Sequence, residues 1–597
     1  MGSRLGALLW RAGLAVLLVC GIGLLPWLSH TDPALTVLKA RSADRDPTPE
    51  VLADIRAQLG LDDGPLRLLV QWLAGLPRGD AGRSWISGSE VMPDVLQALG
   101  VSLLLVTVAL VIALVTAAAV CARTLRLGAR RRLDGRRAGG SGSAVLAALP
   151  EFLTASVLAT VVGVQLGWLP ALGWYGPQWT VLPALALGLP AGAVLGRLLD
   201  DQLPGAFTEQ WALAAAARGL PGHRIARQAL RRCVPGLLPN VGLFVVGLTG
   251  GSVAVERIFD IPGLGRTTLQ AAIAQDLPVL QAGTLALVAL AALTTALAHL
   301  AARRLIGPAL RDGALHSLHR PAPPVRRMLP LVYGVLLLGV IALGLPGDPL
   351  ALDTLARLQA PSPAHPFGTD ALGRDVLARV AHGALDTLLL ALAITVLALI
   401  AGLLLGLLPA LSGPLVDTVN AVPPVLAALF VTAVSGSGAS TPVLAVAVVA
   451  WAPLAAHTSA LLRQERATVH LTATRALGAG PWYLLRSELL PAVLPPVARH
   501  AVLRLPGVAL ALASLGFLGL GAQPPSPEWG LLLAENQPYA ERAPWAVLAP
   551  AAVLALLGAL AVTAAGGLGL PARRRRTTEP EPEAEQPSRK QALVGAR

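Results

Sequence analysis

An all-α, polytopic membrane fold of about twelve transmembrane helices, arranged as two parallel six-helix halves, is predicted by three observations on this sequence. The 597-residue chain is 54% hydrophobic and only 14% charged. Soluble domains carry roughly 25% charged residues, so this chain lacks the charge to cover a water-facing surface. Two stretches of 45 residues, 152–196 and 418–462, contain no Asp, Glu, Lys or Arg. A basic loop follows each of them, and the two loops share an internal frame. About 20 apolar residues span a bilayer as a helix. Backbone in lipid must satisfy its own hydrogen bonds, so helices are the spanning form expected here.

The charge-free intervals give the helices in order. In the first half they are 12–31, 95–122, 152–196, 233–255 and 277–302. In the second half they are 328–347, 387–416, 418–462, 505–527 and 543–572. Each 45-residue stretch counts as two helices, because turn residues interrupt it: Pro170, Gly173, Gly176 and Pro177 in the first, Ser435 to Ser440 in the second. That makes six helices per half. Interval 12–31 could pass for a signal peptide, but no clear small-x-small cleavage site follows, and an uncleaved first helix is expected.

Arginine sets the expected orientation. Segment 123–137 holds seven Arg against one Asp, the inter-half segment holds Arg303, Arg304, Arg311, Arg320, Arg326 and Arg327, and the tail begins with Arg573 to Arg576. The positive-inside rule puts these on the cytoplasmic side, with both termini. Segment 32–94, with ten acidic and seven basic residues, belongs outside. The net charge of +13 is thereby used up beside apolar spans and does not point to nucleic acid. The division expected is a first half 1–305, a Pro-rich cytoplasmic linker 306–327, a second half 328–572 and a disordered cytoplasmic tail 573–597. Two parallel halves imply a pseudo-two-fold axis along the membrane normal, with a substrate path at their interface. Cys20, Cys121 and Cys233 show no pairing or metal-ligand spacing and are expected to be inert.

The loops between the fourth and fifth helix of each half carry the functional pattern. They run from Glu209 to Pro239 and from Glu465 to Pro496, and Gly219, Arg227 and Leu230 match Gly478, Arg486 and Leu489 at the same spacing. The expected structure is a short helix, a glycine break and a second helix. Ala214 to Ala217 favour helix, Gly219 and Gly478 can take the geometry that ends one, and Arg218 and Arg475 place charge where the macrodipole favours it. Such a knuckle could dock into a groove on a soluble partner. The triplets Gly263–Gly265 and Gly519–Gly521 recur before the last helix of each half, with Phe259 and Phe517 nearby, and suggest a paired re-entrant or gate-edge element outside the membrane.

These loops resemble the coupling loops of ABC importer permeases, and the resemblance runs over nearly the whole chain. The first half is similar to the first permease of peptide/nickel-type importers in IRAQLGLDDG, WLAGLPRGDAGRSW and VERIFDIPGLG…DLPVLQAG. The second half is similar to the partner permease in HPFGTDALGRDVLARVAHGA, ATRALGAG and SLGFLGLGAQPPSPEWGLLLAE. The chain thus looks like both permeases fused. The resemblance implies a bacterial plasma-membrane permease driven by two separate ATPase subunits and fed by an extracytoplasmic solute-binding protein. Its cargo would be di- or oligopeptides, with nickel or another small solute as the alternative. The implied ATPase-coupling residues are Ala214, Ala215, Arg218, Gly219 and Arg227 in the first loop and Ala473, Arg475, Gly478 and Arg486 in the second. Two departures stand out. The Glu of the family's Glu-Ala-Ala opening is absent from Leu213-Ala214-Ala215 and from Thr472-Ala473-Thr474, and only Leu411 to Asp417 remains where the family's partner permease has a longer cytoplasmic segment.

No enzymatic constellation appears. The only lysines are Lys39 and Lys590, and neither follows a phosphate-cradling glycine loop, so ATP would be bound by partner subunits and no cofactor or metal is expected in this chain. His365 and His382 read as solvated or packing residues outside the membrane. Glu151, Asp200, Asp201, Glu256 and Asp417 all fall at span ends. A nearly uncharged interior argues against a proton- or sodium-coupled secondary transporter, which needs buried acids.

Overall fold

The computed structural model describes residues 13, 16–17, 19–28, 32–41, 46–59, 61, 64–133, 143, 146–147, 149–306, 328–420, 424–436 and 438–567. The tail and all but the first residue of the linker lie outside the described residues, as does much of the expected first helix. Helix is the dominant element, and no strand is assigned among the described residues beyond two isolated bridges.

Helices occupy the charge-free intervals. In the first half, residues 19–23 and Leu25–Leu28 are helical, three short helices (Pro33–Arg41, Pro49–Gln58 and Pro65–Gly75) follow outside the charge-free intervals, and then come α1 (Val91–Ala129), α2 (Glu151–Leu158, continued by a π-helical segment Ala159–Gln165) and α3 (Gln178–Thr208). Then come α4 (Gln210–Ala217), α5 (Gly222–Ile258), α6 (Leu264–Ala274) and α7 (Leu277–Ile306). In the second half, α8 (Met328–Gly344), α9 (Val376–Gly406), α10 (Pro409–Asn420), α11 (Pro424–Ser435) and α12 (Ser440–Arg466) lead to α13 (Val469–Ala476). Pro481–Tyr483 and a π-helical segment Leu484–Leu489 run into α14 (Leu490–Phe517), and α15 (Trp529–Asn536) and α16 (Pro544–Gly567) close the chain's described part. The chain is an all-α polytopic membrane protein, with seven helices long and apolar enough to cross a bilayer among the described residues, and shorter apolar helices between them.

Two expectations are corrected. The interval 505–527 is not one span: the helix ends at Phe517, Gly519 adopts φ +76°, and an irregular segment leads to α15. The spanning part of α14 must therefore begin earlier, which takes Arg504 into the membrane-crossing helix. The residues 411–417, expected as a bare connecting stretch, belong to α10, which packs on α9 and α12.

Lipid gives helices no hydrophobic drive to associate, so close backbone approach has to supply the contact. In the first half the small residues lie on α3: a methyl group at Gly188 or Gly192 would sit 2.6 or 2.4 Å from the carbonyl oxygen of Ala109 or Ala113 on α1. In the second half the roles reverse. Gly402 and Gly406 lie on α9, and a methyl at Gly406 would come within 2.7 Å of the Ala455 oxygen on α12. The halves share one apolar core. They meet where Phe152 packs on Phe517 (ring centroids 5.8 Å) and where Gln275 donates to the Thr432 carbonyl (3.2 Å).

Candidate functional site

The sequence-matched loops fold into the same local structure. Helix α4 ends at Ala217 with Arg218 as its cap, and Gly219 follows at φ +79°. The Gly219 N–H donates to Ala216 (3.1 Å) and the Leu220 N–H to Ala215 (3.1 Å). In the second loop Gly478 sits at φ +92°, its N–H donates to Arg475 (3.0 Å), and Ala479 donates to Thr474 (3.3 Å). Both are Schellman turns, in which a left-handed residue lets two N–H groups satisfy the orphan carbonyls of the helix end. A methyl at either glycine meets nothing within 4 Å, so the requirement for glycine is one of backbone angle, not of space. Between the two knuckles, α7, α9 and α12 are long and apolar enough to cross a bilayer, and α8 and α11 are shorter apolar helices.

The expected coupling residues divide into two groups. Ala214, Arg218, Gly219 and Arg227 in the first loop, and Ala473, Arg475, Gly478 and Arg486 in the second, are exposed. Ala215 is buried and packs with Ala212 and Ile225 in a small core of the knuckle itself, so its side chain holds the loop together instead of presenting a surface. Arg218 and Arg475 are not counterparts. Arg218 is the cap residue, matched by Leu477, whereas Arg475 lies two residues further into its helix. Sequence reasoning missed the apolar faces: Leu213 is 61% exposed on the first knuckle, and Val469, Leu477 and Trp482 are 84%, 89% and 70% exposed on the second. These are large apolar side chains left bare at the knuckle surfaces.

The knuckles differ in how they are held. In the first, Glu209 accepts from the Trp211 indole (2.5 Å) and the Arg232 guanidinium (3.2 Å). From the end of α1, Arg131 donates to the Ala216 carbonyl (2.8 Å), and Ala129 lies so close that a methyl at Gly222 would sit 2.0 Å from its oxygen. Glu209 lies four residues before Leu213, the position at which the Glu-Ala-Ala pattern would place its acid. In the second knuckle no residue of α13 is buried; Thr468 caps the helix by accepting from Leu471 (3.4 Å), and His470 faces Glu488 at 3.7 Å.

The opposite face explains the other motifs. Asp276 of DLPVLQAG accepts from the Ser84 hydroxyl and the Trp85 N–H (3.0 Å) of GRSW. Glu256 of VERIF, fully buried, accepts from Ser102 (2.6 Å) and the Arg266 N–H (2.9 Å), which ties α5 to α1 and to the start of α6. In the second half, GTDALGRDVLARV supplies three buried charges, Asp370, Arg374 and Arg379, that cluster with the partly exposed Glu535. Arg374 donates to Asp370 (2.7 Å) and Glu535 (3.0 Å), and Arg379 lies 2.9 and 2.8 Å from the same two carboxylates. His365, read as solvated or packing, pairs with Asp375 at 2.7 Å. The recurrent Gly-Leu-Gly elements are placed differently: Gly263, with an extended backbone, caps α6, which begins at Leu264, whereas Gly519, left-handed, ends α14 well before α15. Cys121 and Cys233 are free thiols buried in one apolar cluster, and no group of three or more metal-ligating side chains occurs among the described residues.

Between the halves lies a cavity of about 760 Å³. Glu151, Phe152 and Gly251 line it from the first half, and Val425, Val449, Arg504 and Ser514 from the second. Its volume falls in the range of roughly 300–1,000 Å³ that holds small molecules.

Comparison with known proteins follows the same duplication. The profile of the family described as "Binding-protein-dependent transport system inner membrane component" matches residues 115–311 and again 394–568, together more than half of the chain. The di/tripeptide transport system permease protein DppC of Pseudomonas aeruginosa (strain UCBPP-PA14) is 41% identical over 181 residues, 29% of this chain and 60% of that protein. The probable D,D-dipeptide transport system permease protein DdpC of Escherichia coli (strain K12) is 34% identical over 203 residues, 32% of this chain and 67% of that protein. The metal-staphylopine import system permease protein CntB of Staphylococcus aureus (strain Mu50 / ATCC 700699) is 28% identical over 295 residues, 49% of this chain and 92% of that protein. The chain spans less than two thirds of the length of the Pseudomonas relative.

Proposed function

This chain belongs to the family of binding-protein-dependent transport system inner membrane components, and from that premise we propose that it is the complete permease of an ABC importer, with both permease halves fused. The observation that carries the reading is the pair of Schellman-capped knuckles, each presenting bare apolar side chains. Two separate ATPase subunits would dock there. A solute-binding protein would deliver cargo at the opposite face, against residues 32–94 and 348–386. The basic face is then cytoplasmic, both termini lie inside a bacterial cell, and the chain itself performs no catalysis.

The mechanism follows from differential affinity. ATP binding closes the ATPase dimer, draws the two knuckles together and favours one arrangement of the halves by a few kcal/mol, enough to shift a two-state population. The central cavity then opens alternately to either side. The cargo proposed is a di- or oligopeptide, supported by the relatives named for di/tripeptide and D,D-dipeptide transport. A metal chelate is the second reading, supported by the match along nearly the whole length of the metal-staphylopine permease. An ATPase-independent secondary carrier is the remaining alternative.

Co-purification with the ATPase and ATP-driven uptake into proteoliposomes tests this. ATP-dependent accumulation of a labelled dipeptide is the expected result. Accumulation of a nickel chelate but no peptide would select the second reading, and uptake without any ATPase would reject the importer.

A further inference from the structure

The cavity between the halves is lined mostly by apolar side chains and glycines, yet it holds two opposite charges. Glu151 begins α2 in the first half, and Arg504 lies inside α14 in the second. An ionisable group at membrane depth is costly and persists where it faces a partner or a path. The fold brings these two to one cavity wall each without joining them. Among the described residues, neither forms an ion pair, in contrast to the four-charge cluster Asp370, Arg374, Arg379 and Glu535. The Glu151 carboxyl lies over Gly251, where a methyl group would come within 3.2 Å of it. The glycine therefore leaves the room that keeps this acid at the cavity wall. On the other side Arg504 belongs to the α14 face that also carries Ser514, and Gly507 at the next turn leaves space before it.

A carboxylate on one half and a guanidinium on the other, separated by an apolar space of about 760 Å³, complement a small molecule with a positive and a negative end and an apolar middle. A short peptide with free termini has that form, and its extended backbone covers about 3.5 Å per residue. We propose that the cavity receives its cargo as a zwitterion, with Glu151 facing the cargo's ammonium end and Arg504 facing its carboxylate end, so that these two residues set specificity for short peptides with free termini. The inference rests on the peptide reading above and deepens it. Because each half supplies one charge, a bound zwitterion bridges the halves, and rocking them apart weakens both contacts together. That gives release the same trigger as opening.

The test uses the full chain reconstituted with its ATPases and binding protein in proteoliposomes, with labelled alanyl-phenylalanine as the probe. Glu151→Gln and Arg504→Gln are each expected to lower uptake at least tenfold, while ATP hydrolysis stimulated by the loaded binding protein persists. Glu151→Asp and Arg504→Lys, which keep the charges, are expected to restore most of the uptake. Wild-type uptake in both glutamine variants overturns the inference and leaves the peptide reading standing. Loss of stimulated hydrolysis together with uptake, without rescue by the charge-keeping variants, marks a structural role and also overturns it. Absence of peptide uptake by the wild-type complex removes the peptide reading and this inference with it.

Discussion

The two halves share a plan and differ in where they are held. The first half braces its knuckle: α1 runs for 39 residues and delivers Arg131 onto the Ala216 carbonyl. Its counterpart α9 runs for 31 and stops short. At about 1.5 Å per residue the difference is roughly 12 Å, the reach that the second half lacks. On the opposite face the order reverses. The first half is clasped by acids that accept from hydroxyl and backbone donors at Asp276 and Glu256, whereas the second half clusters four charges, three of them buried. A duplicated local motif is thus compatible with two kinds of support, set by the lengths of the neighbouring helices.

The largest effect is expected at the charge cluster. Arg379 is fully buried, and Arg379→Ala leaves two carboxylates facing one guanidinium. Breaking a buried pair from one side costs about 3–5 kcal/mol, so the purified protein should unfold at a clearly lower temperature. Asp276→Asn, at the first half's clasp, should cost less, because the amide oxygen can still accept from the Trp85 N–H while the amide NH2 donates to the Ser84 hydroxyl oxygen. Equal losses would break the comparison. Next come the glycines. A β-branched residue in the left-handed region costs about 1–2 kcal/mol. Gly478→Val, in the unbraced knuckle, is expected to cut uptake about tenfold, the equivalent of about 1.4 kcal/mol, while ATP hydrolysis and membrane insertion persist. Gly219→Val should do less, because the brace still orients the first knuckle. Reconstituted complexes assayed for both activities decide this.

Arg131→Ala should have a smaller effect alone, about 1 kcal/mol for one exposed hydrogen bond. Combined with Gly219→Val, it should bring the first knuckle down to the level of Gly478→Val, and an additive double mutant would show that the brace has no such role. The smallest change is expected for Glu209→Gln. Its ion pair with Arg232 is partly exposed, and such pairs contribute about 1 kcal/mol or less; uptake should fall less than twofold in physiological salt.

Much of this could be read directly. The charge-free intervals located the helices because lipid tolerates few charges and no unpaired backbone. The matched glycines located both knuckles because only glycine takes a left-handed angle without strain. Other features were hidden. Ala215 looked like a surface residue but packs inward, since helical spacing alone does not say which face meets Ile225. Arg218 and Arg475 looked paired because both follow the same small-residue run, yet they occupy different turns of the cap. Arg504 marked the edge of an apolar interval, and only the early end of α14 at Phe517 brought it into the membrane-crossing helix.

The sequence by itself determined the helical, duplicated membrane architecture and the two glycine-capped knuckles, because span length, charge exclusion and the glycine requirement act locally along the chain. Tertiary structure alone decided which knuckle is braced, which acids are clasped, and that Glu151 and Arg504 border one cavity. Those outcomes depend on helix lengths and rotations relative to distant partners, and no local rule carries that information.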